Sequence, residues 1–311
     1  GITNTDTKSI LTICNKKIVI KSAAPILEEI IQIWQRDGAT NELITKIASF
    51  YNDNKYWNNG YKKMWLVYLS CLLEVGDEVQ AKTVLKKYIS NFKYSDIEKI
   101  LSVSHFAYIN GYVSRKIKLS SDIFKKLETN KKNSELFNFL NKKHIAVVGN
   151  GSQLINSGNG KEIDSHDIVV RFNKYKISGF EKDCGRRTDM WVTIGNSVNR
   201  SEDIKFILLR HDYWHSFVDS KLLNKITKYT NLCCSFDPDC TKFARKCLKY
   251  ETYLPTTGGL FIFSIYQMFG NFKNVDFYGF NFLEEKLKPL DHYYENVSKR
   301  HQQKAQEMHS F

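Results

Sequence analysis

The sequence has 311 residues, 42% apolar and 25% charged, with a net charge of +13 and a pI of about 9.2. Such length and balance suit one large globular domain or two, and no stretch approaches the roughly 20 apolar residues of a membrane span. The positive charge fits nucleic acid, an anionic membrane surface or an anionic substrate; with no recognition-helix signature, zinc-finger spacing or RNA-binding aromatic motif, nucleic acid ranks lowest.

Residues 22–142 read as helical. Ile26, Leu27, Ile30, Ile31, Ile33 and Trp34 form an apolar stripe at helical spacing, and a second helix runs near Leu43 to Tyr51. An Asn-rich break covers Asn52 to Gly60. Trp65, Tyr68, Leu69, Leu72 and Leu73, then Gly76, predict a helix and a turn; Ala81, Val84, Leu85 and Tyr88 predict its antiparallel partner. That spacing loosely resembles one tetratricopeptide helix pair, which makes a capping or docking domain over 1–142 the expectation, with its Trp and Tyr residues in the core. Phe106, Tyr108 and Tyr112 suggest a further helix, and Asn130 to Ser134 a polar boundary.

From His144 the pattern becomes short apolar strands alternating with helices, which argues a parallel sheet covered on both faces. Ile145 to Val148 reads as a buried strand and runs into Gly149-Asn-Gly151-Ser152. Ile168 to Val170 is a second strand, ending on Arg171-Phe-Asn173. In an open α/β sheet, ligands lie beyond the carboxyl ends of the strands, so Asn150 and Asn173 are expected at one crevice. An Asn side chain offers both a donor and an acceptor, which suits a ribose hydroxyl or a base edge. A dinucleotide-binding turn is disfavoured, because Leu154 stands at the third glycine position and Asn173, not an acid, ends the second strand. Further strands are expected within Ile204–Leu209, Asn231–Phe236 and Val275–Tyr278.

Leu254-Pro-Thr-Thr-Gly-Gly-Leu260 precedes an apolar helix. Thr256 or Thr257 can cap it, and the free amides over Thr256 to Gly259, with Gly258 allowing close approach, make a phosphate site. His292-Tyr293 and His301 lie near the end of the sequence, with His309 beyond them. The seven cysteines have no regular spacing and no Cys-x-x-Cys pair, which argues for buried free thiols in a reducing compartment rather than disulfides or zinc. No charged-then-apolar leader opens the sequence, but it starts on Gly1 rather than Met, so that observation carries no weight.

Taken in order, Val147-Val-Gly-Asn150, Ile163-Asp-Ser-His166, Arg171-Phe-Asn173, Gly179-Phe-Glu181 and Asp183-Cys-Gly-Arg-Arg-Thr188 resemble the large sialyl motif of sialyltransferases. The turn before Leu260, with Tyr278-Gly-Phe280, resembles the small sialyl motif, and His292-Tyr-Tyr-Glu295 the short third one. In the last motif the family places Glu five residues after its His; here Gln306 holds that position and Glu307 follows. The resemblance covers 143–311 and implies a Rossmann-like, GT-A-like sialyltransferase fold. It implies inverting transfer of sialic acid from its cytidine monophosphate (CMP) donor to a glycan hydroxyl. His301 is then the expected base, with His309 the alternative, and His292 the group that stabilises the departing phosphate. Asn150, Gly151, Ser152, Asn173, Thr256, Thr257, Gly258, Gly259 and Tyr293 are the expected substrate-binding residues.

No metal is expected, because the leaving group carries a single phosphate. The animal members join their large and small motifs by a disulfide, and neither the first strand nor the Pro255 turn carries a Cys here. A bacterial, cytoplasmic relative is therefore expected, working at the inner membrane on lipooligosaccharide or capsule. The alternatives are a transferase for another CMP-activated acid (Kdo, pseudaminic or legionaminic) and a helical scaffold with an inactive transferase half.

Overall fold

The computed structural model describes residues 10–13, 16–19, 24–196, 204–210, 214–237, 239–241, 243–244 and 256–280. The chain divides into two compact units, Gly1–Asp96 and Ile97–Phe311. The boundary expected after Lys142 therefore falls inside the second unit.

The first unit opens with a hairpin, β1 (Ile10–Ile13) and β2 (Lys16–Val19), which the sequence reading did not anticipate. Four helices follow: α1 (Ala24–Asp37), α2 (Asn41–Ala48), α3 (Lys62–Glu74) and α4 (Glu78–Phe92). Each boundary has a local cause. The Thr40 hydroxyl accepts the Leu43 amide at 3.1 Å to start α2, and Asp77 accepts the Gln80 amide at 3.0 Å to start α4. Gly76, at φ +79°, turns the chain between α3 and α4. Trp34, Trp65, Leu69, Leu85 and Tyr88 are fully buried, as the helical stripes predict. Trp57 stacks on Trp65 with ring centroids 4.1 Å apart, and the Lys87 ammonium sits 4.4 Å from both the Tyr51 and Trp57 rings.

The second unit carries a six-stranded, all-parallel sheet in the order β7-β6-β5-β4-β3-β8. Its strands are β3 (Ile145–Val148), β4 (Ile168–Phe172), β5 (Met190–Thr193), β6 (Phe206–Leu209), β7 (Leu232–Ser235) and β8 (Val275–Tyr278). β3 through β7 step outward in sequence order; β8 then returns to pair with the free side of β3. The order of the strands reverses at β3–β8, and a ligand crevice belongs at the carboxyl end of that pair.

Alternation along the strands supplies a core on each face. Val147, Val170, Val192 and Leu208 pack with Leu260, Phe261 and Ile265 of α11 (Thr257–Phe269) and with Leu140 of α7 (Glu135–Leu140). On the other face, Trp191, Ile207 and Cys233 meet Ile123, Phe124 and Leu127 of α6 (Arg115–Lys132), Leu101 of α5 (Leu101–Ile109), and Leu223 and Ile226 of α10 (Ser220–Thr227). Beside them Ala146, Val148 and Val169 meet Ile163 of α8 (Gly160–Ser165) and Cys184 of α9 (Glu181–Cys184). Each fully buried aliphatic side chain contributes about 1.5–3 kcal/mol, so a sheet lined on both faces is the dominant stabilising element here. This explains why α5–α7 belong with the sheet: their apolar stripes cover it. Cys184, Cys233, Cys234 and Cys240 are buried free thiols, and burial pushes Cys233 up to about 12 and Cys240 up to about 11.

Candidate functional site

The carboxyl rim of the sheet gathers Gly149 and Asn150 after β3, Asn173 after β4, Arg210 after β6 and Gly279-Phe280 after β8. The glycines of the first turn make room for a neighbouring turn. Neither has positive φ. A Cβ on Gly149 would lie 2.5 Å from the Gly279 carbonyl oxygen, and one on Gly151 2.7 Å from the same atom. These glycines let the β3 and β8 turns touch, with the Gly149 amide donating to Tyr278 O at 2.7 Å and the Gly151 amide to Gly279 O at 3.0 Å.

Leu154, where a dinucleotide turn has its third glycine, is buried against Gly279 and ends a single 3-10 turn over Ser152–Leu154. No long helix starts there to present its N-terminus to a pyrophosphate. Ser152 itself is exposed.

Asn150 and Asn173 are brought together, as expected, and their neighbours fix which end of each amide is used. The Asn150 NH2 donates to Phe172 O at 3.2 Å and Lys174 O at 3.1 Å, bracketing Asn173. Its Oδ1 has no partner among the described residues. Asn173 adopts φ +47°, its Oδ1 accepts the Ile194 amide at 3.0 Å, and its NH2 has no described partner. Among the described residues, the pair therefore leaves one acceptor and one donor without a partner.

α11 begins at the same rim. A Cβ on Gly258 would come within 2.9 Å of the Phe280 ring, which also lies 3.0 Å from a Cβ placed on Gly149. One phenyl ring thus separates the β3 turn from the helix N-terminus. The Thr256 hydroxyl caps the helix by accepting the Gly259 amide at 3.1 Å, and Leu260 N donates to Thr256 O. The Thr257 and Gly258 amides have no described acceptor, and they lie at the positive end of a 13-residue helix dipole. The buried Thr257 hydroxyl accepts from Arg210 Nη1 at 3.3 Å. Sequence reasoning missed Arg210; its signal was a lone cation directly after an apolar strand.

The rest of the large-motif match is internal scaffolding. Arg171 is fully buried, donating to Arg187 O at 2.9 Å, Thr188 Oγ1 at 3.1 Å and Cys184 O at 2.6 Å. Asp164 accepts the amides of Arg186 and Arg187, and Asp183 those of Asn156 and Gly158. Arg187 reaches back to Asp164 O, His166 O, Asp167 O and Asp189 Oδ2. His166 bridges Glu162 O and Asp276 Oδ2, each at 2.9 Å, while the Tyr278 hydroxyl donates to Glu162. Burial, then the Glu162 hydrogen bond, raises Tyr278 and keeps it a neutral donor.

Tyr293, His292, His301 and His309 lie outside the described residues. Against the expectation of metal-free chemistry stands one Asp-x-Asp triplet, Asp237-Pro-Asp239. It follows β7, with three strands between it and β3, and Asp237 Oδ1 already accepts the Asp239 amide at 2.9 Å. Among the described residues, no group of three or more His, Cys, Asp or Glu is placed to hold a metal ion.

Two relatives are alpha-N-acetylgalactosaminide alpha-2,6-sialyltransferase 1 of Gallus gallus and of Homo sapiens. The first is 35% identical over 103 residues, covering 32% of this chain and 18% of the relative. The second is 28% identical over 199 residues, covering 50% of this chain and 32% of the relative. The chain thus spans a third or less of the length of either. A crystal structure of a mammalian sialyltransferase in complex with Gal-beta-1-3GalNAc-ortho-nitrophenol is 21% identical, covering 60% of this chain and 83% of that one, at a TM-score of 0.38. The assignment rests instead on the family model, which matches residues 89–311 and so most of the sequence: this chain belongs to glycosyltransferase family 29, the sialyltransferases.

Proposed function

We propose that the chain transfers sialic acid from CMP-sialic acid to a hydroxyl of a glycan acceptor, with inversion at the anomeric carbon. The observation that carries this reading is the rim at the strand-order reversal. There, one amide acceptor (Asn150), one amide donor (Asn173) and two amides of a capped helix N-terminus lie at the same rim, each without a partner among the described residues. Family membership supports a CMP-sugar donor. In this reading Asn150, Gly151, Ser152 and Asn173 hold the nucleoside, and the Thr257 and Gly258 amides receive the phosphate. His301, or His309 in its place, removes the acceptor proton as the new carbon–oxygen bond forms. The bond from the anomeric carbon to the phosphate oxygen breaks, and CMP leaves with that electron pair, stabilised by His292 and the helix amides. Tyr293 contacts the substrate.

We further place this activity in a bacterial cytoplasm, at the inner membrane, on lipooligosaccharide or capsule, and without a metal. Free buried thiols support a reducing compartment, and the net charge of +13 supports an anionic surface. The deciding experiment measures CMP release from CMP-sialic acid, CMP-Kdo, CMP-pseudaminic acid and CMP-legionaminic acid, with and without chelator. Release from CMP-sialic acid that resists chelator is expected. Preference for another donor would reassign the sugar, and absence of both CMP binding and turnover would leave a scaffold. Activity lost in chelator and restored by magnesium or manganese would overturn the metal-free step.

A further inference from the structure

Asn173 is held at three points by β5 and the residue that follows it. Its amide donates to Val192 O at 2.8 Å, its carbonyl accepts from Trp191 Nε1 at 2.8 Å, and its Oδ1 accepts from Ile194 N at 3.0 Å. The first and last are backbone donors or acceptors that any sequence would provide. The middle one is a side chain. Trp191 is fully buried, with its ring among Ile207, Leu209 and Leu127 in the core beneath α6. A buried indole N–H needs an acceptor, and this one finds it in a residue with left-handed backbone at the edge of the candidate site. The left-handed turn costs free energy for any residue but glycine, and Asn tolerates it better than most. The indole hydrogen bond stabilises that turn from the core side, leaving the Asn173 NH2 as its only polar group without a described partner.

We propose that Trp191 is a positioning residue for donor recognition: its indole N–H fixes the Asn173 backbone so that the side-chain NH2 is presented to the nucleotide at the crevice. This inference rests on the donor site proposed above. A purely structural Trp would satisfy its N–H anywhere, and removing that N–H would change stability without changing ligand affinity through Asn173.

The test is a binding cycle on the full chain with CMP as the titrant, using Trp191→Phe, Asn173→Ala and the double variant. Trp191→Phe keeps an aromatic ring and removes the donor. It is expected to weaken CMP binding about fivefold, the effect of one hydrogen bond, and to raise the donor KM more than it lowers kcat. In the Asn173→Ala background it should weaken binding no further. If Trp191→Phe is not soluble, benzothienylalanine at position 191, with sulfur in place of N–H, makes the same comparison at constant ring shape. Unchanged CMP affinity in a folded N–H-deleted variant, or an equal loss with and without Asn173, overturns the positioning role while leaving the donor site intact. If the unmodified chain and Asn173→Ala bind CMP equally, or neither binds, the donor site fails and the inference falls with it.

Discussion

Two regions of the second unit are made from the same run of motif residues and behave in opposite ways. In the stitch between 156–167 and 183–189, every charged side chain described above is used up internally. Asp164 and Asp183 collect loop amides, and the Arg171 and Arg187 guanidinium groups collect carbonyls. At the rim, the polar residues are half used. Among the described residues, Asn150 spends its donor end and keeps its acceptor, while Asn173 does the reverse. A motif is therefore a mixture: part of it holds the crevice in shape and part of it is left facing whatever enters. Energetics explain why the first kind is saturated. Burying a guanidinium costs several kcal/mol, and only charge-assisted bonds of about 1.5–3 kcal/mol each offset that, so Arg171 is tolerable only with its acceptors in place.

The comparison breaks if the stitch can be cut without unfolding. Arg171→Met should therefore have the largest effect, about 3 kcal/mol or more of lost stability in urea denaturation, because it strands buried acceptors at Cys184, Arg187 and Thr188. A variant of normal stability that had lost only CMP affinity would move Arg171 into the site. Gly149→Ala comes next, at about 1–3 kcal/mol: its methyl group would press on the Gly279 carbonyl and the Phe280 ring, and the midpoint of denaturation reports the cost. Thr256→Ala should cost about 1 kcal/mol in stability through the lost cap. The smallest stability change is expected at the rim. Asn150→Ala should lose about 1 kcal/mol or less, yet weaken CMP binding by calorimetry about fivefold or more. Equal losses of binding from Asn150→Ala and from a cut in the stitch would erase the distinction.

Much of this was legible in the residues. Ile145 to Val148 and Val275 to Tyr278 were readable as strands because apolar runs are short and end on glycine. The meeting of Asn150 with Asn173 followed from both lying directly after parallel strands, and the capped helix at Thr256 from Thr-Thr-Gly-Gly before an apolar run. What pattern could not supply was partnership. Gly149 and Gly151 look like ligand glycines, and only the return of β8 beside β3 shows that they make room for Gly279. The hairpin Ile10–Val19 went unread because two four-residue strands carry little periodicity. The division at Asp96 is not legible in the sequence because α5 to α7 look like the helices before them; their apolar residues differ only in meeting a sheet. Trp191 lies in an apolar strand, and nothing in its sequence neighbours announces that its indole reaches back to Asn173.

The pairing of β3 with β8 has a consequence for how the chain acquires its crevice. Each of the other strand pairs in the sheet joins strands consecutive in sequence, whereas Ile145 must wait for Val275. Loop closure over that span makes this contact the slowest of the set to form. During synthesis, five strands can associate while one side of β3 still lacks its neighbour. A nascent or truncated product ending before β8 would thus resemble a sheet yet lack the contact between the β3 and β8 turns, which would arrive in a single late step.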